Sequence, residues 1–234
     1  MHVFYQPHLD VEQPLLNEEE SRHAVRVLRL SEGDELYVTN GTGQFFRAQI
    51  AFADPKRCAL AHLEQFTITP EPKIKVHLAV GATKNMDRME WLIEKATEIG
   101  LHSFIPLECD RSERSVVKKE RLEKVAIAAM KQSQRAVLPQ IMPMTSFQQC
   151  LKAYSLFSGS KLMAQCEPGE KKSLKNFAGI QEVLLLIGPE GDFSTEEITF
   201  AQNSGCEMIT LGTSRLRTET AALLALTGMH ILAD

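Results

Sequence analysis

Val183–Ala222 reads VLLLIGPEGDFSTEEITFAQNSGCEMITLGTSRLRTETAA, and its punctuation decides the fold. Val183–Ile187 is an apolar run short enough for a buried strand. Gly188-Pro189-Glu190-Gly191 follows at once and must be a tight turn. Ser194, with Glu197 three positions on, is a capping-box pair and starts a helix. Gly205 stands where the C-terminal cap of that helix belongs. Met208–Leu211 is a second buried strand, and Gly212-Thr213-Ser214 turns it into a helix beginning near Thr218. The same event thus occurs twice: strand, glycine turn, helix. In open α/β sheets, ligands bind in the crevice outside the carboxyl ends of the strands.

The glycines limit what such a pocket would hold. G-x-G-x-x-G and G-x-x-x-x-G-K-[ST] are both absent, which removes the dinucleotide fingerprint and the P-loop. The first turn carries Glu190 and Asp192 instead of lysine and suits a polyphosphate badly. Turn chemistry alone leaves two readings open: ordinary strand-to-helix turns, or a pocket for a ligand without phosphates.

Upstream, strands and helices alternate. Ile74–Val80 is β-branched-rich and reads as a strand, ending at Gly81-Ala82-Thr83. Met86–Ile99 places Met89, Leu92, Ile93, Ala96 and Ile99 on one helical face, and Gly100 ends it. Ser103–Leu107 is a strand, followed by a polar loop carrying Arg111 and Arg114. Lys118–Arg135 reads as a long helix with one basic side. Phe147–Tyr154 reads as a short helix and Lys161–Gln165 as a strand. The C-terminal helix, Thr218–Leu232, is apolar on nearly every side, as a helix is when buried in a core or against a second copy of itself. This alternation predicts a mainly parallel sheet with helices on both faces.

Residues 1–70 differ. Val3–Tyr5, Glu35–Thr39, Gln44–Ala51 and Cys58–Phe66 read as short strands, with Asn40-Gly41 as a hairpin turn. Several short strands with Gly and Pro turns fit a small barrel. Within Glu18–Leu30, Arg22, Arg26 and Arg29 fall at i, i+4 and i+7, on one face of a helix. They form either a solvated face or an arginine stripe for phosphates. Thr67–Lys73 is expected to be a linker, with the boundary near Glu71, giving domains 1–70 and 71–234.

The 234 residues are 44% hydrophobic, enough for one large domain or two. No apolar run reaches the roughly 18 residues of a membrane span, and MHVFYQPHLD lacks the pattern of a secretory signal. Five scattered cysteines without a C-x-x-C pair suggest a reduced, cytoplasmic, metal-free protein. Net charge is −4: residues 1–70 hold six Lys and Arg against ten Asp and Glu, and the remainder is balanced. Any nucleic-acid contact must therefore come from local patches.

Ile187–Glu197 (IGPEGDFSTEE), Leu211–Leu226 (LGTSRLRTETAALLAL) and Lys84–Gly100 (KNMDRMEWLIEKATEIG) resemble the signature segments of the RsmE family. Lys118–Ile141 is similar to that family's central helix, so the likeness covers nearly the whole chain. Two departures stand out: Asp192 where the family usually has a second glycine, and His2 where it often has arginine. These are SPOUT-class methyltransferases that methylate N3 of a uridine in 16S ribosomal RNA of the small subunit, using S-adenosylmethionine. The resemblance implies a PUA-like RNA-binding barrel, a trefoil knot within Val183–Ala222, and a homodimer.

It also implies site roles. Leu186, Gly188, Gly191, Leu211, Gly212, Ser214 and Leu216 would line the cofactor. Arg217 would stabilise the uracil anion, with Arg215 as the alternative and a salt bridge to Glu190 or Glu219 as its structural reading. Glu190 would orient Arg217 or take the proton through water; its structural reading is a turn carboxylate. Arg22, Arg26, Arg29, Arg111, Arg114 and Lys118 would meet RNA phosphates. Competing functions are a SPOUT methyltransferase acting on another RNA, such as transfer RNA, and an RNA-binding module without catalysis.

Overall fold

The computed structural model describes residues 1–66 and 71–233. The first four positions of the expected linker, 67–70, lie outside the described residues. Contacts divide the chain into two units. One is Met1–Glu71 with Ile127–Leu138; the other is Pro72–Ala126 with Pro139–Asp234.

In the first unit, β1 (Val3–Tyr5) pairs in parallel with β2 (Glu35–Thr39). The sheet continues antiparallel through β3 (Phe45–Phe52) and β4 (Ala59–Gln65). An antiparallel bridge from Leu15 to Ala59 borders the far edge. Alternate residues Leu36, Val38, Ala48 and Ile50 point inward to Phe4, Leu16, Ala24, Cys58 and Leu60. The hairpin tip is longer than a two-residue turn, because Thr39 pairs with Phe45 and residues 40–44 form the loop. Val137 bridges to Thr42, and Leu138 N–H donates to Gly41 O, so a segment remote in sequence sets the loop.

The arginine segment also differs from its 3.6-residue reading. Helix α1 (Glu18–Arg22), capped by Asn17, passes into a π-helical turn at His23–Val27. Arg29 then lies beyond the helix with φ +57°. Arg22 and Arg26 therefore lie on the helical turns and Arg29 off them, so the three arginines do not form one helical face.

In the second unit, β5 (Lys75–Gly81), α2 (Met86–Ile99) and β6 (Ser103–Glu108) precede α3 (Lys119–Gln132), whose C-terminal half belongs to the first unit. Then come β7 (Gln140–Ile141), β8 (Thr145–Ser146), α4 (Phe147–Ala153), β9 (Ser160–Ala164) and β10 (Lys172–Ser173). β11 (Glu182–Ile187), α5 (Thr195–Asn203), β12 (Glu207–Thr210) and α6 (Thr218–Ala233) complete it. The strands run in the order β10-β12-β9-β11-β5-β6-β7, all pairs parallel, with β8 also on β6. Val183–Ile187 is buried throughout, as a parallel strand covered on both faces must be. Leu184 and Leu186 face a core formed with Phe147, Leu151, Phe193 and Ala201 of α4, α5 and the loop before α5. α6 packs on α2, β5 and β11.

Lys118–Arg135 is shorter than expected: the helix ends at Gln132, and Gln134 adopts φ +57°. Arg135 is buried beyond it and pairs with Glu71 at 3.0 Å. Much of the basic side is ion-paired, Arg121 with Glu90, Lys119 with Glu123 and Lys131 with Glu20. Lys118 and Lys124 remain exposed.

Candidate functional site at the strand ends

β12, β9 and β11 are adjacent and parallel, and Ala164 of β9 pairs with both Ile187 and Ile209. Continued by one residue, that register brings Gln165 level with Gly188 and Thr210. The two glycine turns therefore open side by side across the end of β9. β5 extends the row, since Val80 pairs with Ile187. Gly81 and Gly188 are required there by close approach: a Cβ on Gly81 would lie 2.4 Å from Pro189 N, and one on Gly188 would lie 2.9 Å from Asp192 Oδ1. Gly212 is required by its backbone, with φ +112°, and nothing stands within 4 Å of where its Cβ would be. Thr218 Oγ1 donates to Gly188 O at 3.0 Å and fixes the start of α6 over the first turn.

Gly188, Leu211 and Gly212 are thus brought together. Leu186 sits one layer below, its side chain wholly in the core. Gly191 lies under Arg111, whose Cβ would be 3.0 Å from a Cβ at that glycine. Ser214 is exposed and Leu216 half-buried in the loop that leads to α6.

The polar groups divide into held and unheld. Glu190 Oε1 accepts from Lys84 N–H at 3.2 Å. Arg114 donates to the carbonyls of Thr83 and Lys84, at 3.3 and 2.7 Å, and Arg111 donates to Gly191 O at 3.0 Å. Both arginines therefore strap the loop after β6 onto the turns. Glu219 is buried, with Oε1 3.7 Å from Arg88 Nε and Oε2 without a hydrogen-bond partner among the described residues. Neither Glu190 nor Glu219 pairs with Arg217 among the described residues. Arg217 is exposed at the rim, and its guanidinium has no ion-pair partner there. Arg215 is exposed as well.

The loop after β6 is anchored at its other end by the α5 capping box. Ser194 N–H donates to Glu197 Oε2 at 2.8 Å, and Asp110 N–H donates to Glu197 Oε1 at 3.1 Å. Ser194 Oγ donates to Asp110 Oδ2 at 2.6 Å. Burial raises the Glu197 pKa, partly opposed by these two amides. The native state then holds more protons than the unfolded one as pH rises through the ordinary glutamate range, so this group's contribution to stability falls across that window. Glu197→Ala should destabilise the protein by about 1–3 kcal/mol, because two buried amides lose their acceptor. Glu197→Gln should keep one acceptor and abolish that pH slope. Thermal melts between pH 4 and 8 check both; an unchanged slope in the glutamine variant would remove Glu197 as its source.

The other basic candidates lie in the first unit or on α3. Arg22 pairs with Glu18 at 2.7 Å, Arg26 and Arg29 are exposed, and Lys118 is exposed at the start of α3. Sequence reasoning missed four participants: Gln165, Thr218, Arg88 and the bonds of Asp192. Gln165 Oε1 is buried with no hydrogen-bond partner among the described residues. Asp192 Oδ2 accepts from Cys166 N–H at 2.7 Å. The one local signal was Thr218, a hydroxyl at a helix start.

Residues 69–230 match the model of an RNA methyltransferase domain, and residues 16–61 that of an RNA methyltransferase PUA domain. The chain is 31% identical to a ribosomal RNA small subunit methyltransferase E of Bacillus subtilis, over 90% of this chain and 87% of that one. Its fold matches the crystal structure of a probable rRNA-methyltransferase from Porphyromonas gingivalis, with TM-score 0.90 and 38% identity over 100% and 98% of the two chains. It also matches a ribosomal RNA small subunit methyltransferase E from Neisseria gonorrhoeae bound to S-adenosyl methionine, with TM-score 0.84 and 26% identity over 99% and 98%. The sheet, the paired glycine turns and these likenesses agree: the chain is an RNA methyltransferase of the ribosomal RNA small subunit methyltransferase E family.

Proposed function

We propose that this protein transfers a methyl group from S-adenosylmethionine to N3 of a uridine in 16S ribosomal RNA of the small subunit. The observation that carries the reading is Arg217, exposed and without an ion-pair partner among the described residues, at the rim of the two adjoining glycine turns. The turns suit this cofactor: they are lined by backbone, Gly212 leaves open space, and Gln165 offers a buried acceptor without a donor. When bound, S-adenosylmethionine supplies an electrophilic methyl group on sulfur, and its S–CH3 bond breaks as the N3–CH3 bond forms.

The chain's part is to position uracil and favour loss of its N3 proton. Arg217, held by no carboxylate, is available to the uracil oxygens where negative charge develops. Glu190 keeps one oxygen on Lys84 N–H, which leaves the other to accept the proton through water. Arg111 and Arg114 hold the surrounding loops, and Lys118 with Arg22, Arg26 and Arg29 provides phosphate contacts. In this reading 1–70 is the RNA-binding module, 71–234 carries methyl transfer, and the protein works in the cytoplasm, where ribosomal subunits are made. Incubation with small ribosomal subunits and labelled cofactor, followed by mapping of the modified base, tests it. Label on no uridine N3 would refute it.

The active form is a homodimer. Trp91 on α2 and Leu224 and Ile231 on α6 stay exposed on two helices that pack together, and Ile231 is 69% exposed. A two-fold pairing would cover them. Sedimentation at micromolar concentration should give about twice the 26.2 kDa chain mass, and Ile231→Glu should shift it toward the monomer. A wild type that sediments only as monomer would overturn the dimer.

A further inference from the structure

Asp192 adopts φ +61°, a left-handed conformation that costs a residue with a Cβ more than it costs glycine. Its carboxylate makes two bonds in return. Oδ1 accepts from Phe193 N–H within its own turn at 2.8 Å, and Oδ2 accepts from Cys166 N–H at 2.7 Å. The second bond ties the turn after β11 to the loop after β9. The residue before Cys166 is Gln165, beside Gly188 and Thr210 at the centre of the crevice. Its Oε1 is buried and meets no donor from the described residues. A buried amide oxygen normally has a donor, so a ligand N–H is the partner this position lacks.

We infer that Asp192 is a positioning residue: by holding the loop after β9, it sets Gln165 Oε1 to accept a hydrogen bond from an amino group of the bound cofactor. This rests on the cofactor reading above. S-adenosylmethionine has two such groups, the adenine amino group and the amino-acid ammonium. Asp192→Gly suits the left-handed turn and removes only the carboxylate, so the effect cannot be ascribed to backbone strain.

The test is calorimetric titration with S-adenosylmethionine for wild type, Asp192→Gly, Asp192→Asn, Gln165→Ala and the double variant Asp192→Gly/Gln165→Ala. Each of Asp192→Gly and Gln165→Ala should weaken binding roughly tenfold, as expected for one hydrogen bond. Asn keeps one acceptor oxygen and should fall between. The double variant should be little weaker than either single one, because both changes act through one contact. The loss should appear in the cofactor KM more than in kcat, and the Cys166 amide should exchange faster in Asp192→Gly. Titration with 5′-methylthioadenosine, which lacks the amino-acid portion, separates the two donors: a persisting Gln165→Ala penalty assigns the adenine amino group, a vanished one the ammonium. Wild-type affinity in Asp192→Gly, or fully additive losses, would overturn the inference and leave the cofactor reading standing. A wild type that does not bind S-adenosylmethionine would overturn both.

Discussion

Arg217→Ala is expected to lower single-turnover methylation of small ribosomal subunits by roughly a hundred- to a thousandfold, the usual loss for one charge-stabilising contact. Cofactor affinity should stay nearly intact. The negative charge on uracil exists only on the way to the transition state, so the interaction contributes little to holding the cofactor. The structure sharpens this expectation. An arginine engaged with Glu190 or Glu219 would affect melting temperature and cofactor binding together when removed. Glu190 instead accepts from Lys84 N–H, and Glu219 lies against Arg88. Arg217→Ala should therefore leave the melting temperature unchanged. Arg217→Lys should rescue only in part, since an ammonium lacks the planar fork. Near-normal turnover in the alanine variant would take Arg217 out of the mechanism and move the role to Arg215.

Gly212→Val should abolish measurable S-adenosylmethionine binding in a protein that remains folded. Two effects act together. At φ +112° a β-branched residue is strained, by about 1–3 kcal/mol. That is a fraction of the roughly 5–15 kcal/mol of a typical domain, so folding survives. Apart from the two chain neighbours, no described atom lies within 4 Å of where the new Cβ would stand, so the valine would extend into the open space the ligand is expected to occupy. Strain of this size fully relieved by moving the turn would still displace the backbone that lines the pocket. A loss of about 3 kcal/mol corresponds to more than a hundredfold in affinity. Circular dichroism and calorimetric titration read the two parts separately. Wild-type affinity in the folded variant would place the cofactor elsewhere.

The elements of the second unit were legible because their signals are local. Five consecutive apolar residues at Val183–Ile187 report a strand buried on both faces. Ser194 and Glu197 are hydrogen-bonded within one helical turn, so the capping box is written in four residues. Gly100 ends α2 by an equally local signal, a left-handed backbone that glycine adopts freely. What needed the tertiary structure is what joins distant residues. β9 lies between β11 and β12, although β12 follows β11 in sequence, and only that order puts Gln165 between the two glycine turns.

Arg111 and Arg114 show the limit from the other side. Their composition marked them as free cations, yet their N–H groups serve carbonyls about 80 and 30 residues away. The helical turns likewise end at Leu28, before Arg29, and so cut short a face that helical spacing predicted. By itself the sequence determined the longer strands, where most helices begin and that two glycine turns follow buried strands, because each depends on neighbours a few residues apart; the two-residue strands β7, β8 and β10 it did not mark. The tertiary structure alone decided which strand ends adjoin, which arginines meet no carboxylate among the described residues and which buried oxygens lack a donor there, because pairing, register and burial are properties of contacts that no local spacing encodes.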